Sequence, residues 1–163
     1  MPFRIDPRLL AAALLTLAVA YGGGCGDATS TRRRAQLAGR ELPAVFVHEA
    51  NPVAGLSKAQ LKAIFTGAIV NWKDVGGPYL SIFACTEPLG SGRSTLAVFQ
   101  GIALDDAPFG PVHEAPSPAD CLAFVARTPG GVSFASDGDA IPGVRRVPID
   151  GRALGGSRSV PAP

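Results

Sequence analysis

The feature that most constrains the fold of this chain is an alternation, between Ala44 and Ile149, of short apolar runs with amphipathic segments of helical period. Short apolar runs bounded by turn residues are typical of buried strands, and apolar residues three and four apart are typical of a helix seated on a sheet. The predicted strands are Ala44–Val47, Leu80–Ala84, Val132–Phe134 and Val144–Ile149, and the predicted helices begin at Ser57, Ser94 and Ser117. Such alternation predicts an α/β fold with a mostly parallel sheet flanked by helices.

Two of these helices begin with residues that favour a helix start. Ser57 is a good N-cap, and Leu61, Ile64 and Phe65 then lie on one face of a helix that ends at Gly67. Ser117 is a second N-cap, with proline at the first helical position after it.

The first 24 residues are interpreted as a signal peptide. Arg4 and Arg8 precede the apolar run Leu9–Ala20, and the small residues Gly22 to Gly24 follow it. A helix of these 12 residues would be about 18 Å long, against about 30 Å for the hydrocarbon core of a bilayer. We therefore expect export; a short membrane anchor or a wrongly assigned start is the alternative.

Cys25 follows two candidate cleavage sites. Ala18-Val19-Ala20 suits ordinary signal peptidase, whereas Gly22 to Cys25 resembles a bacterial lipobox, in which the cysteine carries the lipid. The chain has three cysteines. A disulfide between Cys85 and Cys121 in an oxidising compartment would leave Cys25 over, and acylation would account for it. We predict lipidation of Cys25, with an unmodified thiol as the alternative, and the sequence leaves the Cys85–Cys121 pairing open.

The remaining boundaries follow from composition. Residues 25–43 are polar and arginine-rich without a sustained apolar period, which predicts a flexible linker. Within it, Arg32-Arg33-Arg34 is a solvated charge run or, alternatively, a segment attracted to anionic lipid headgroups. The folded domain is predicted to span residues 44–152, and residues 153–163 are predicted to be a disordered tail.

Three consecutive segments resemble the phosphate-binding proteins of phosphate ABC transporters. These are Asn51–Ser57, Leu61–Gly67 and Asn71–Gly77, in which a helix, a phenylalanine, a glycine, an asparagine-tryptophan pair and a double glycine recur in that order. Ala126–Val132 resembles the helix-to-strand turn of the same family. The resemblance covers about residues 44–152 and implies a single lobe of a type II periplasmic-binding-protein-like fold. The segment that would build the other lobe has only linker in its place.

The resemblance also implies an anion-binding loop, because Gly90-Ser91-Gly92 precedes a helix as in that family. Backbone N–H groups and the helix dipole favour an anion at a helix start. The predicted anion-binding residues are Gly90, Ser91, Gly92, Arg93, Ser94 and Thr95. Glu87, just upstream, would repel phosphate, and an ordinary capped turn is the alternative interpretation of this loop.

Other functions lack support in the sequence. His48-Glu49 and His113-Glu114 each lack a second histidine at zinc-site spacing, and Asp137-Gly138-Asp139 lacks the ligands of a calcium loop. No nucleophile-elbow or phosphate-loop motif is present, and the net charge of +2 is too small to indicate a nucleic-acid partner. We therefore expect no enzyme activity, no metal and no cofactor.

The sequence as a whole predicts an exported solute-binding-type domain that binds phosphate or a similar oxyanion weakly. Its expected partners are that anion, an ABC transporter permease or another envelope protein, and the membrane through a lipid anchor on Cys25. The expected location is periplasmic or at the cell surface. The alternative function is an envelope interaction module that keeps the fold without binding a solute.

Overall fold

The computed structural model describes residues 42–151 and, separately, Arg32. The strands are β1 (Ala44–His48), β2 (Phe83–Thr86), β3 (His113–Glu114), β4 (Gly131–Ala135) and β5 (Val144–Val147). The helices are α1 (Lys58–Phe65), α2 (Ser94–Ala103) and α3 (Pro118–Arg127), with short 3-10 turns at Trp72–Val75 and Asp137–Asp139. The predicted signal peptide, Cys25, most of the predicted linker and the predicted tail lie outside the described residues.

The five strands form one mixed sheet in the order β3-β2-β4-β1-β5. β2 is parallel to both β3 and β4, as expected, whereas β1 is antiparallel to both β4 and β5. The α/β class with flanking helices is confirmed, but the sheet is less parallel than predicted. A short apolar run has the same pattern in a parallel or an antiparallel ladder, so strand direction could not be inferred from it.

One edge of the sheet, here called the upper edge, is where β2, β3, β4 and β5 end and β1 begins. The register shows this directly, since Ala44 lies opposite Ala135 and Val45 lies opposite Val147. The described domain therefore begins and ends at the same edge of the sheet, and the connection from β2 to α2 starts there.

The sheet is buried on both faces because the side chains of β1 alternate between them. Val45 and Val47 belong to the main core, in which Phe99 stacks on Phe134 at 3.8 Å between ring centroids. Phe46 lies on the opposite face in a cluster with Leu122 of α3. The domain thus has three layers, with α1 and α2 contributing to one core and α3 covering the other face.

The predicted helix starts are confirmed at two places. The Ser57 hydroxyl accepts a hydrogen bond from the Gln60 N–H at 3.1 Å, and the Gln60 side chain accepts one from the Ser57 N–H, which completes a capping box. The Ser117 hydroxyl accepts from the Asp120 N–H at 3.2 Å, ahead of Pro118 in the first turn of α3. None of the helices in residues 42–151 is long and apolar enough to cross a membrane.

Several boundaries differ from the predictions, and the short strand β3 was not predicted. β5 ends at Val147 rather than Ile149. The second strand begins at Phe83 rather than Leu80, because the backbone of Leu80 and Ile82 pairs instead with the segment at Val70–Trp72. Leu42, placed in the linker by its composition, is buried in the main core. A single leucine among polar residues has no periodic signal, so its burial could not be inferred.

Candidate functional site

The candidate site is the connection between β2 and α2, here called the anion loop (Glu87–Arg93), which leaves the sheet at its upper edge. Gly90 and Gly92 have φ values of +89° and +69°. A Cβ atom at either glycine would meet nothing within 4 Å. These glycines are therefore required by backbone conformation and not by crowding, and the space beside them is open.

The helix that follows this loop has no side-chain cap. Its N-cap residue, Arg93, makes no capping hydrogen bond, and its first turn contains no acidic residue. The first helical bond runs from the Ala97 N–H to the Arg93 carbonyl at 3.2 Å, so the N–H groups of Ser94, Thr95 and Leu96 precede the intrahelical ladder. They lie at the positive end of the helix dipole, where an anion is stabilised.

The predicted anion-binding residues are brought together at this point, although they differ in what they contact. Ser91, Gly92 and Arg93 are exposed, and Thr95 is half-buried. The Ser91 hydroxyl accepts a long hydrogen bond of 3.5 Å from the Arg93 N–H. The structure therefore places the predicted glycine-rich loop directly before a helix start that has no side-chain cap.

The anion loop is not a simple cationic site, because its arginine is paired with a carboxylate. A guanidinium nitrogen of Arg93 lies 3.2 Å from a carboxylate oxygen of Glu87, whose side chain is only 4% exposed. The Arg93 side chain is 54% exposed. Arg93 is therefore already paired with the carboxylate that the sequence identifies as repulsive toward phosphate, and the two charges cancel within the loop.

Thr86 carries a buried hydroxyl beside the loop that sequence reasoning did not single out. It ends β2 directly before the anion loop and is 1% exposed, and its Oγ1 has no hydrogen-bond partner among the described residues. A buried hydroxyl without a partner carries a desolvation cost of about 1–3 kcal/mol. The burial of this hydroxyl has no signal in the sequence, because threonine at the end of an apolar run is a common strand residue.

A disulfide between Cys85 and Cys121 anchors the base of the loop. Cys85 lies in β2, Cys121 lies in α3, and their Cα atoms are 5.5 Å apart. Both residues are buried, in a small cluster with Ala115. The end of β2 is thereby covalently fixed to a helix on the opposite face from the main core.

The other polar motifs have structural surroundings, and one of them lies beside the loop, since Glu114 is opposite Thr86 in the β2–β3 ladder. His48 is at the far end of β1 from the loop, and the His113 ring stacks on Phe124 at 4.4 Å between centroids. Asp137 forms an ion pair with Arg146. Within residues 42–151, no three histidine, cysteine, aspartate or glutamate side chains are grouped as metal ligands.

An uncapped helix under a Gly-Ser-Gly loop at the edge of an α/β sheet is an arrangement typical of an oxyanion-binding lobe. A family profile described as the PBP superfamily domain matches residues 24–148, which is most of the chain, so the chain belongs to the PBP superfamily.

Individual relatives agree with this assignment. The phosphate-binding protein PstS of Bacillus subtilis (strain 168) is 39% identical over 87 residues, which are 52% of this chain and 28% of that protein. An ABC-type phosphate transport receptor from Vibrio cholerae has a TM-score of 0.60 and 27% identity, over 69% of this chain and 49% of that one. A putative phosphate ABC transporter substrate-binding protein from Clostridium perfringens, solved with bound phosphate, has a TM-score of 0.58 and 27% identity, over 69% and 48%.

The resemblance to the phosphate-binding proteins of phosphate ABC transporters is therefore confirmed, and so is the fold class. The chain spans about half the length of these structural relatives and little more than a quarter of the curated one. The match to one part of a longer receptor agrees with the interpretation as a single lobe.

Proposed function

We propose that this domain binds an oxyanion on the anion loop and the start of α2, and that inorganic phosphate is the first ligand to test. One observation carries the proposal: the helix start beneath Gly90–Arg93 has no side-chain cap, in a chain similar to a phosphate transporter protein solved with bound phosphate. Gly90, Ser91, Gly92, Arg93, Ser94 and Thr95 are the residues proposed to surround the anion. No step of chemistry is assigned to them, and the domain is proposed to be a receptor and not an enzyme.

The proposed affinity is weak. The loop supplies one cation, and that cation is shared with Glu87. A single lobe also leaves the ligand open to water on one side. A dissociation constant near 1 mM corresponds to about 4 kcal/mol of binding free energy, against about 8 kcal/mol for 1 μM. We therefore expect millimolar binding by this lobe alone.

The ion pair between Glu87 and Arg93 favours a second candidate function. A loop whose two charges cancel offers little net attraction to an anion, and such a lobe could instead be retained as a module that docks to an envelope protein. The two candidates differ in one measurable property, because the docking module needs no saturable response to any anion.

The cellular context is proposed from the N-terminal sequence. Residues 1–24 act as a signal peptide, and Cys25 carries a lipid that holds the domain on the membrane, in the periplasm or at the cell surface. An ABC transporter permease is the partner suggested by the relatives. Mass spectrometry of the mature chain tests the anchor, since Cys25→Ser should abolish the lipid adduct and lead to cleavage at the Ala18-Val19-Ala20 site or to none.

Titration of the protein with phosphate and sulfate, followed by calorimetry and thermal shift, tests the binding function. A ligand at 100 times its dissociation constant should stabilise the fold by about 2.7 kcal/mol. Ser91→Ala and Arg93→Ala should weaken the response, whereas Ser81→Ala and Arg127→Ala, which change exposed residues away from the loop, should leave it unchanged. Absence of any response at tens of millimolar anion would reject this function and favour the docking module.

A further inference from the structure

The ion pair between Glu87 and Arg93 suggests how the proposed anion site is regulated. Glu87 is almost fully buried, and a buried carboxylate without a partner is strongly unfavourable. Arg93 lies 3.2 Å from it and supplies the compensating charge. The ion pair therefore satisfies a requirement of the fold, independently of any ligand.

Arg93 is also the cation closest in the chain to the proposed anion position. It is the N-cap residue of α2, and it is the single cationic residue between Thr86 and Thr95. Its side chain is about half exposed, in contrast to its buried partner. The guanidinium can therefore turn toward solvent, where an anion at the helix start would meet it, while the carboxylate stays fixed at the end of β2.

We infer that Glu87 is an internal competitor of the anion: it retains Arg93 in the empty site, and a bound anion must share or displace this contact. The inference rests on the proposed function, because it requires an anion at the start of α2. Its consequence is that Glu87 lowers the affinity of the site. Replacing the carboxylate by an uncharged group of the same shape should release Arg93 to the ligand and remove a repulsive charge.

The test is Glu87→Gln in the full chain, with inorganic phosphate as the probe. The phosphate dissociation constant should fall at least about tenfold, a change of about 1.4 kcal/mol. Glu49→Gln is the matched control, because it changes net charge by the same amount at an exposed residue next to the far end of β1. It should leave the dissociation constant within about twofold of the parent. An unchanged or larger constant in Glu87→Gln, with the thermal transition intact, would overturn the inference.

The outcomes separate this inference from the proposed function. If the parent binds phosphate and Glu87→Gln binds it equally, the competition is wrong and the anion site stands. If the parent shows no binding and Glu87→Gln does, the competition is supported in its strongest form. If both variants fold and neither binds at tens of millimolar phosphate, the anion site and the competition fall together.

A measurement on the unmodified protein covers the case in which Glu87→Gln does not fold. The Nε–H resonance of Arg93, assigned by its disappearance in Arg93→Lys, reports the contact of the guanidinium. Saturating phosphate should shift this resonance together with the backbone amides of residues 90–95. Movement of those amides with a fixed Arg93 resonance would show that Arg93 stays on Glu87 and would overturn the inference.

Discussion

Two glycine-containing regions of the domain use the residue for opposite reasons. In the segment around the Trp72 turn, here called the packed turn (Thr66–Ser81 with Gly110 and Gly130), backbone crowds Gly110 and Gly130: a Cβ atom on Gly130 would lie 2.0 Å from the Ser81 carbonyl oxygen, and one on Gly110 would lie 2.4 Å from that of Thr66. Gly76 in the same segment has open space and a φ of +84°, so it is required by its conformation alone. In the anion loop, a Cβ atom on Gly90 or Gly92 would meet nothing within 4 Å. The first region is built for close packing, and the second keeps open space at a helix start.

The helix starts repeat this contrast. α1 and α3 are capped by Ser57 and Ser117, so their first N–H groups contribute to the stability of the fold. α2 begins at Arg93 with no side-chain cap. Among the helices of residues 42–151, the two with side-chain caps lie away from the open loop, and the one without a cap lies beside it, so the capping contacts are separate from the candidate binding site. The predictions below test this separation, in order of decreasing effect.

The largest expected effect is the loss of the disulfide at the base of the anion loop. Cys85→Ala with Cys121→Ala should lower the free energy of unfolding by about 4 kcal/mol, as expected for a loop of this length between the two cysteines, 36 residues apart in sequence. Urea unfolding measures the change, with Cys25→Ala as the control that leaves the pair intact. If the double variant were as stable as the control, the disulfide would not stabilise the base of the anion loop.

Gly130→Ala tests the comparison most directly. The added methyl group would meet the Ser81 carbonyl, and the Gly130 carbonyl also accepts hydrogen bonds from the Trp72 Nε1–H and the Phe83 N–H, both at 3.0 Å. We expect a loss of about 3 kcal/mol in thermal or urea unfolding.

Two alanine substitutions serve as controls for that variant. Gly90→Ala should cost only about 1 kcal/mol, from its left-handed backbone conformation. Gly138→Ala, which has neither a positive φ nor a near neighbour, should change stability by less than about 0.5 kcal/mol. A larger loss in Gly90→Ala than in Gly130→Ala would reverse the comparison.

The helix caps test the same contrast between packed regions and the anion loop, with smaller expected effects. Ser117→Ala removes a hydroxyl that accepts from the Asp120 N–H and should cost about 1 kcal/mol of unfolding free energy. Ser91→Ala removes only a long contact of 3.5 Å to the Arg93 N–H, so its effect on stability should be close to zero while its effect on phosphate binding is not. Equal losses of stability in both variants would mean that Ser91 is an ordinary cap.

The smallest effect concerns the ion pairs between α1 and Asp105, two residues past the end of α2. The hydrogen bond from Lys58 at 2.9 Å, aided by its charge and by Lys62 at 3.3 Å, lowers the pKa of Asp105. A lowered folded-state pKa contributes stability that is present above the unfolded value of about 3.9 and is lost as pH falls through the folded value. Because these side chains are partly exposed to solvent, we expect only about 0.5 kcal/mol.

Asp105→Asn isolates that contribution. Asparagine tolerates the left-handed backbone at this position, where φ is +53°. The variant should be slightly less stable than the parent at pH 7, and the difference should shrink as the pH falls below about 3.9 and through the lowered pKa of Asp105. If the stability of the two proteins changed with pH in parallel, the ion pairs of Asp105 would not contribute to stability. Phosphate binding should be the same in both proteins.

The sequence by itself determined the local elements and the family. Ser57 with Gln60, and Ser117 with Asp120, are contacts between residues three apart, and the apolar spacing of α1 needs only one helical turn to be recognised. The segments Leu61–Gly67 and Asn71–Gly77 carry the resemblance that the family match confirms. These features are readable because each depends on neighbours within a few positions.

Only the tertiary structure decided the direction of β1, the burial of Leu42, the Cys85–Cys121 pairing and the state of the loop charges. β1 lies between β4 and β5, which are about ninety residues further along the chain, and its own four-residue apolar run holds no information about their direction. In the sequence, Glu87 and Arg93 are two separate charges. In the structure, the bend at Gly90–Gly92 brings them together as an ion pair. The local pattern fixes which elements form, whereas contacts between distant segments fix what the binding loop presents to a ligand.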